Sequence, residues 1–84
     1  MTYAITILRR AQKELADLPR EVYVRVRDAI RGLGEVPTPA GSKKLAGRTG
    51  WRIRVGSYRV VYEIDDQNRL ITIMHIGHRR DVYR

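Results

Sequence analysis

The sequence WRIRVGSYRVVY, from Trp51 to Tyr62, alternates apolar and arginine side chains on both sides of Gly56-Ser57. A two-residue connection that begins with glycine is typical of a type II′ turn between antiparallel strands. The pattern therefore predicts a β-hairpin in which Arg54 lies opposite Arg59. Because side chains alternate between the faces of a sheet, one face is apolar and the other carries Arg52, Arg54 and Arg59.

The segments on either side of this hairpin predict two helices and two further strands. Residues 3–8 are β-branched and apolar and predict a strand, and residues 9–18 have helical spacing. A second helix is predicted from Pro19 to about Leu33, and residues 34–50 form a long connection. A third meander strand is predicted over residues 69–76. The expected fold is a single α+β domain, residues 1–84: an N-terminal strand, an αα-hairpin and a three-stranded antiparallel meander, with the helices on one face of a small sheet.

The composition excludes several classes of protein. The 84 residues contain no cysteine and only two histidines, so a disulfide framework, a thiolate metal site and a cysteine nucleophile are excluded. The sequence has neither an apolar run long enough for a membrane span nor a signal-peptide layout, and a cytoplasmic protein is expected. Arginine supplies most of the 17 basic residues, and the net charge is +8. This balance favours a polyanionic partner, either a nucleic acid or an acidic protein.

The predicted arginine face is a candidate phosphate-binding site. Like charges directly opposite each other on a sheet destabilise it, and Glu63 is the one acid expected nearby on this face. The third strand offers Thr72 and Met74 there rather than further acids. The alternative is an ordinary solvated surface. The predicted alternation also brings Ile76 onto the arginine face, so that the tail after Gly77 would carry further functional side chains to it. A frayed terminus is the alternative for this tail, and His75 is expected on the helix-packed face as a core or edge residue.

The complete pattern resembles a known family. It consists of a strand, an αα-hairpin, the segment WRIRVGSYRVVY, and the ending IGHRRDVY over residues 76–83. Together these features resemble the RelE branch of the RelE/ParE superfamily of bacterial and archaeal toxins, over essentially the whole chain. The resemblance implies a ribosome-dependent endoribonuclease that cleaves mRNA in the 30S A site. In that reaction the 2′-hydroxyl attacks the adjacent phosphate, and neither a metal nor another cofactor is needed.

The resemblance assigns roles to individual residues. It implies that Arg52, Arg54 and Arg59 bind RNA phosphates, and that Arg79 stabilises the transition state and protonates the leaving group. It implies that Tyr83 orients the substrate or stacks on it. The RelE pattern has lysines where this chain has Arg52 and Arg54, so a lysine base is absent; His78 and then Tyr83 are the candidate replacements. The expected catalytic residues are Arg59, Arg79, Tyr83 and His78, and Lys43 and Lys44 are expected to dock on ribosomal RNA.

The resemblance also implies partners, and it leaves two alternatives open. A RelB-like antitoxin is expected to cover the toxin and to provide its only link to operator DNA, and no membrane is involved. The first alternative is a ParE-like toxin that inhibits DNA gyrase without catalysis. The second is an inactive protein that only binds its antitoxin as a co-repressor.

Overall fold

The protein, described over residues 2–78 by a computed structural model, combines two helices with a five-stranded sheet. In chain order the elements are β1 (Ala4–Ile7), α1 (Arg9–Ala16), α2 (Arg20–Leu33), β2 (Lys43–Lys44), β3 (Trp51–Val55), β4 (Tyr58–Asp65) and β5 (Leu70–His78). The α+β class and the order strand, αα-hairpin, meander are confirmed. Neither helix within the described range is long and apolar enough to cross a membrane.

The sheet is mixed and has the strand order β1-β5-β4-β3-β2. Strands β3, β4 and β5 form the expected antiparallel meander, and β1 runs parallel to β5. The hairpin register is confirmed, since Arg54 pairs with Arg59 and Val55 with Tyr58. The long connection expected over residues 34–50 contains one element that was not predicted, because Lys43 and Lys44 form the short edge strand β2 on β3.

The core lies between the two helices and one face of the sheet. From the helices, Ala11, Val26 and Leu33 are fully buried. They belong to the same apolar cluster as the hairpin residues Val60 and Tyr62, which share one face of the sheet. The helices therefore cover the apolar face that the alternation predicted, and the arginine face is turned away from them.

An irregularity in β5 changes which face its last residues occupy. Tyr62 pairs with Ile73, whereas the preceding residue Val61 pairs with His75, so Met74 is an extra residue on β5. This β-bulge reverses the alternation beyond it. Ile76 consequently pairs with Val60 and is buried in the core. The expectation that Ile76 lies on the arginine face is wrong.

Helix α1 binds the edge of β5 where β1 no longer covers it. Strand β1 pairs with β5 only as far as Ile73. Beyond that point Glu14 Oε1 accepts a 2.9 Å hydrogen bond from the backbone N–H of Ile76, and Glu14 Oε2 lies 2.7 Å from His75 Nδ1. In addition, Gln12 Nε2 donates to the carbonyl of Ile7, the last residue of β1, at 2.8 Å. His75 is thus an edge residue held by α1, and by register it lies opposite Val61 rather than on the helix-packed face.

The segment between α2 and β2 is tied to the sheet by one buried side chain. Tyr62 is fully buried, and its hydroxyl donates a 2.6 Å hydrogen bond to the carbonyl of Pro37. Burial raises the pKa of Tyr62 above its ordinary value. The same segment reaches the arginine face through Gly41, so Tyr62 helps to fix one wall of the site described next.

Candidate functional site

A cleft lined by basic side chains lies where β2 and the β2–β3 loop meet the arginine face. Its volume is about 370 Å³. We call it the basic cleft; its lining residues are Lys43, Lys44, Leu45, Ala46, Arg48, Arg52 and Arg59. Five of these seven side chains are cationic, and none of the lining residues within the described range is acidic.

Arg52 is the buried cation of this cleft. Only 7% of its surface is exposed, and its Nη1 donates a 3.1 Å hydrogen bond to the carbonyl of Gly41. Arg52 is buried because the segment after α2 covers that part of β3. A guanidinium held in this way presents its charge at a fixed position, which favours geometric recognition of a phosphate.

Arg54 and Arg59 occupy the same face of the hairpin but different cavities. They are direct partners across β3 and β4. Arg59 is partly buried and lines the basic cleft, whereas Arg54 is exposed and lines a larger neighbouring cavity. Arg52 lines both cavities. The three arginines therefore form a continuous line of positive charge from one cavity to the other.

Strand β2 brings its two lysines into this site. Lys43 pairs with Arg52, and Lys44 pairs with Trp51. Both lysines line the basic cleft, so they lie beside Arg52 and Arg59. Arg48, in the following loop, also lines the cleft, and sequence reasoning missed it. Its place in the sequence could have indicated this, because Arg48 lies between Gly47 and Gly50. Two glycines so close together are typical of a tight loop, here next to the first strand that carries arginines.

The bulge also changes the face on which His78, the last residue of β5, lies. His78 pairs with Tyr58, and their rings make an edge contact with centroids 5.6 Å apart. Tyr58 shares the helix-packed face with Val55, its partner on β3. The bulge at Met74 has therefore carried His78 to the opposite face from Arg59, and its expected place on the arginine face is wrong. Arg79 and Tyr83 lie outside the described residues.

A small apolar cluster supports the basic cleft from below. Leu45 is 9% exposed and Val61 is 2% exposed, and both pack with Met74 on the face opposite the helices. Leu45 is at the same time a lining residue of the cleft. The bulge residue and the β2–β3 loop thus meet beneath the cations and hold the strands that carry them.

The larger cavity has a different chemical character. Its volume is about 710 Å³, and small or apolar residues of α2 and of the following segment line one side, including Ala29, Val36 and Pro39. Val36 is 53% exposed. The other side is formed by β3, with Arg52 and Arg54 among its residues. This cavity can accept an apolar group that is attached to an anionic one.

The site can stabilise negative charge, and its arginines act as fixed cations rather than as proton carriers. Arginine remains protonated under ordinary conditions and acts as a fixed cation with a donor fork. The structure within residues 2–78 contains no group of three or more metal-ligating side chains that could hold a metal ion. The described part of the site is therefore suited to binding phosphates and to stabilising charge that develops on them.

The chain is similar to proteins of known family and structure. Residues 5–83 match the family described as the ParE toxin of type II toxin-antitoxin systems. The chain is 32% identical to Toxin RelG of Mycobacterium tuberculosis over 88 residues, covering 100% of this chain and 99% of the relative.

Solved structures of relatives share the fold over nearly the whole chain. The archaeal RelE-RelB complex from Pyrococcus horikoshii matches with a TM-score of 0.84 and 30% identity, covering 98% of this chain and 100% of that one. The intact Escherichia coli RelBE toxin-antitoxin complex matches with a TM-score of 0.79 and 26% identity, covering 90% and 95% of the two chains.

Proposed function

The chain belongs to the ParE toxin family of the RelE/ParE superfamily, and on that basis we propose that it is a ribosome-dependent endoribonuclease. In this proposal it is the toxin of a type II toxin-antitoxin pair. It enters the 30S A site, cleaves the mRNA there and stops translation. A protein with this role acts in the cytoplasm, where ribosomes are found.

The observation that carries the proposal is the convergence of cations in the basic cleft. Lys43, Arg48, Arg52 and Arg59 line one small cavity with no acidic residue among the lining side chains. Mutual repulsion of these charges opposes folding, and an anionic ligand relieves it. Successive phosphates of a single RNA strand match a line of fixed cations better than an isolated small anion does.

The proposed reaction needs orientation and charge stabilisation more than it needs a metal. The ribose 2′-oxygen forms a bond to the adjacent phosphorus while the bond from phosphorus to the 5′-oxygen breaks. The 2′-hydroxyl gives up its proton to water as it attacks, and the 5′-oxygen takes up a proton as it leaves, so the products are a 2′,3′-cyclic phosphate and a free 5′-hydroxyl. Arg52 and Arg59 would bind the scissile phosphate and stabilise its developing charge, and Arg54 would bind a neighbouring phosphate.

Protonation of the leaving group is assigned to a residue beyond the described range. By resemblance to the RelE branch, Arg79 would stabilise the transition state and protonate the leaving 5′-oxygen, and Tyr83 would orient the substrate or stack on a base. We assign no proton transfer to His78, because its register places it on the helix-packed face. A strong general base is not essential if the arginines hold the 2′-hydroxyl in line with the bond that breaks.

The proposed partners are a RelB-like antitoxin and the ribosome with its mRNA. The solved relatives from Pyrococcus horikoshii and Escherichia coli are toxin-antitoxin complexes. A net charge of +8 favours an acidic antitoxin, and the larger cavity offers a place for an apolar side chain of such a partner. Contact with operator DNA would occur only through the antitoxin.

Inhibition of DNA gyrase is the second candidate function. One observation favours it: the family that matches residues 5–83 is described as the ParE toxin. In that case the arginine face would bind a protein surface and no RNA would be cleaved. The basic cleft argues for the nuclease, since its lining suits phosphates better than it suits a protein interface.

Primer extension on mRNA from briefly induced cells tests the proposal. Wild-type protein should create new 5′ ends inside translated codons, and Arg59→Ala and Arg79→Ala should abolish them at matched expression. Arg27→Ala is the control, because Arg27 lies on α2 and pairs with Asp28 at 3.1 Å, away from the cleft. Growth arrest without cleavage would favour gyrase inhibition, and the absence of both effects would favour the inactive co-repressor.

A further inference from the structure

The β2–β3 loop is a short, tightly closed turn. Its ends are joined by a 3.0 Å hydrogen bond from the backbone N–H of Leu45 to the carbonyl of Gly50. Gly47 and Gly50 have φ values of 72° and 119°, which side chains other than glycine rarely allow. The loop backbone therefore has a conformation that its own residues specify.

Two side chains attach this loop to the sheet. Leu45 is buried against Val61 and Met74, and Thr49 Oγ1 donates a 3.3 Å hydrogen bond to Glu63 Oε2 on β4. Glu63 is thus engaged by the loop, and it is not one of the residues that line the basic cleft. Arg48, between these two anchor points, is exposed and lines the cleft. A fixed backbone and an exposed guanidinium are the features expected of a binding residue.

We propose that Arg48, together with Lys43 and Lys44, binds a second phosphate of the RNA strand, next to the one bound by Arg52 and Arg59. This inference rests on the proposed function and deepens it, since it assigns the β2–β3 loop to the substrate rather than to ribosomal RNA. The five cations line one cavity of about 370 Å³, which is small enough for neighbouring phosphates of one strand to contact all of them.

The lining of the cleft favours RNA over an acidic peptide. A bound peptide needs apolar anchor pockets for affinity. The basic cleft offers only Leu45 and Ala46 for that purpose, whereas the larger cavity offers Ala29, Val36 and Pro39. The arginines instead provide the planar donor forks that bind phosphate oxygens in pairs.

Salt-dependent binding to an RNA that cannot be cleaved tests the inference. The probe is a short fluorescent 2′-O-methyl oligoribonucleotide, which lacks the attacking hydroxyl, and binding to the full chain is measured by anisotropy over a series of salt concentrations. Each phosphate contact to a single strand contributes about 0.7 to the slope of log K against log salt. Arg48→Gln should weaken binding and lower this slope by about 0.7, and Arg48→Lys should keep it. Arg27→Gln removes the same charge far from the cleft and should leave the slope unchanged.

Three results would overturn the inference. The first is an equal slope for wild type and Arg48→Gln, the second is an equal loss in Arg27→Gln, and the third is no binding of the RNA probe by wild type. Polyglutamate is then added as a competitor of the RNA probe. If Arg48→Gln weakens polyglutamate binding as much as it weakens RNA binding, the loop is assigned to an acidic protein instead. The proposed function is judged separately by primer extension: if cleavage is absent while the slope still falls in Arg48→Gln, the nuclease proposal fails and the second phosphate site stands.

Discussion

Arg54 and Arg59 are direct cross-strand partners in the hairpin of β3 and β4, so two guanidinium groups share one face of the sheet at neighbouring positions. Like charges at such positions oppose strand pairing by a few tenths of a kcal/mol to about 1 kcal/mol. Arg52 and Lys43, a second pair of cations, follow on the same face. Repulsion among these cations therefore lowers the stability of the folded protein, as is common where a surface must bind an anion.

Removing one member of this pair should stabilise the protein and weaken its activity. We expect Arg54→Gln to raise the free energy of unfolding by a few tenths of a kcal/mol to about 1 kcal/mol, which in a domain of this size shifts Tm upward by a few degrees. Toxicity on induction should fall. Thermal unfolding and growth assays on the same variant check both parts, with Arg27→Gln as the control. A lower Tm for Arg54→Gln would contradict the repulsion argument.

Removing the carboxylate of Glu14 should loosen the end of β5. Glu14→Ala leaves the Ile76 N–H without its side-chain acceptor and His75 without its charged partner, and we expect a loss of about 1–3 kcal/mol. Glu14→Gln retains an oxygen that can accept from Ile76, so its loss should be smaller. Urea unfolding measures both values. If the two variants were equally stable, the hydrogen bond to Ile76 would not be the main contribution.

The buried hydroxyl of Tyr62 should make the protein sensitive to alkali. Burial raises its pKa, so the unfolded chain releases this proton at lower pH than the folded protein does. The resulting stability is complete below about pH 10 and is lost as the pH rises further. Tyr62→Phe should cost about 1 kcal/mol near neutral pH through loss of the bond to Pro37, and its stability should fall less steeply above pH 10. Urea unfolding across this pH range compares the two proteins, and parallel curves would refute the argument.

The two glycines of the β2–β3 loop should differ in their tolerance of a side chain. A Cβ on Gly50, at φ 119°, would lie 3.3 Å from the carbonyl oxygen of Tyr62, whereas one on Gly47, at φ 72°, would meet no atom within 4 Å. Such strain lowers the free energy of unfolding by about 1–3 kcal/mol. We expect the loss for Gly50→Ala to be near the upper end of this range and the loss for Gly47→Ala to be near the lower end. Chemical denaturation of both variants measures the difference. A larger loss for Gly47→Ala would show that the loop is not held as described.

The sequence predicted local features of the fold better than the features that depend on distant contacts. The hairpin register was correct because the turn at Gly56 is set by adjacent residues and fixes the alternation on both sides. The bulge at Met74 was missed because β5 is apolar on both faces, so that one extra residue leaves no visible break in its pattern. Strand β2 was missed because two charged residues carry no strand signal.

The prediction of the site had the same limit. The cluster of Arg54 and Arg59 followed from the hairpin alone and is present. The burial of Arg52 was missed because the covering residue, Gly41, comes from a distant segment that no local pattern places on β3. His78 was placed on the wrong face because its position depends on the bulge. Arg48 was overlooked because its proximity to the cleft is a consequence of how the loop folds back on the sheet.

The contacts that α1 makes at the edge of β5 have a consequence for assembly. A free sheet edge is a template for strands of other chains and a starting point for aggregation. Here Gln12 donates a hydrogen bond to the carbonyl of Ile7, and Glu14 accepts one from the backbone N–H of Ile76. Both side chains come from the same short helix. At this end of the sheet, α1 therefore protects exposed backbone groups from intermolecular pairing, without the need for a sixth strand.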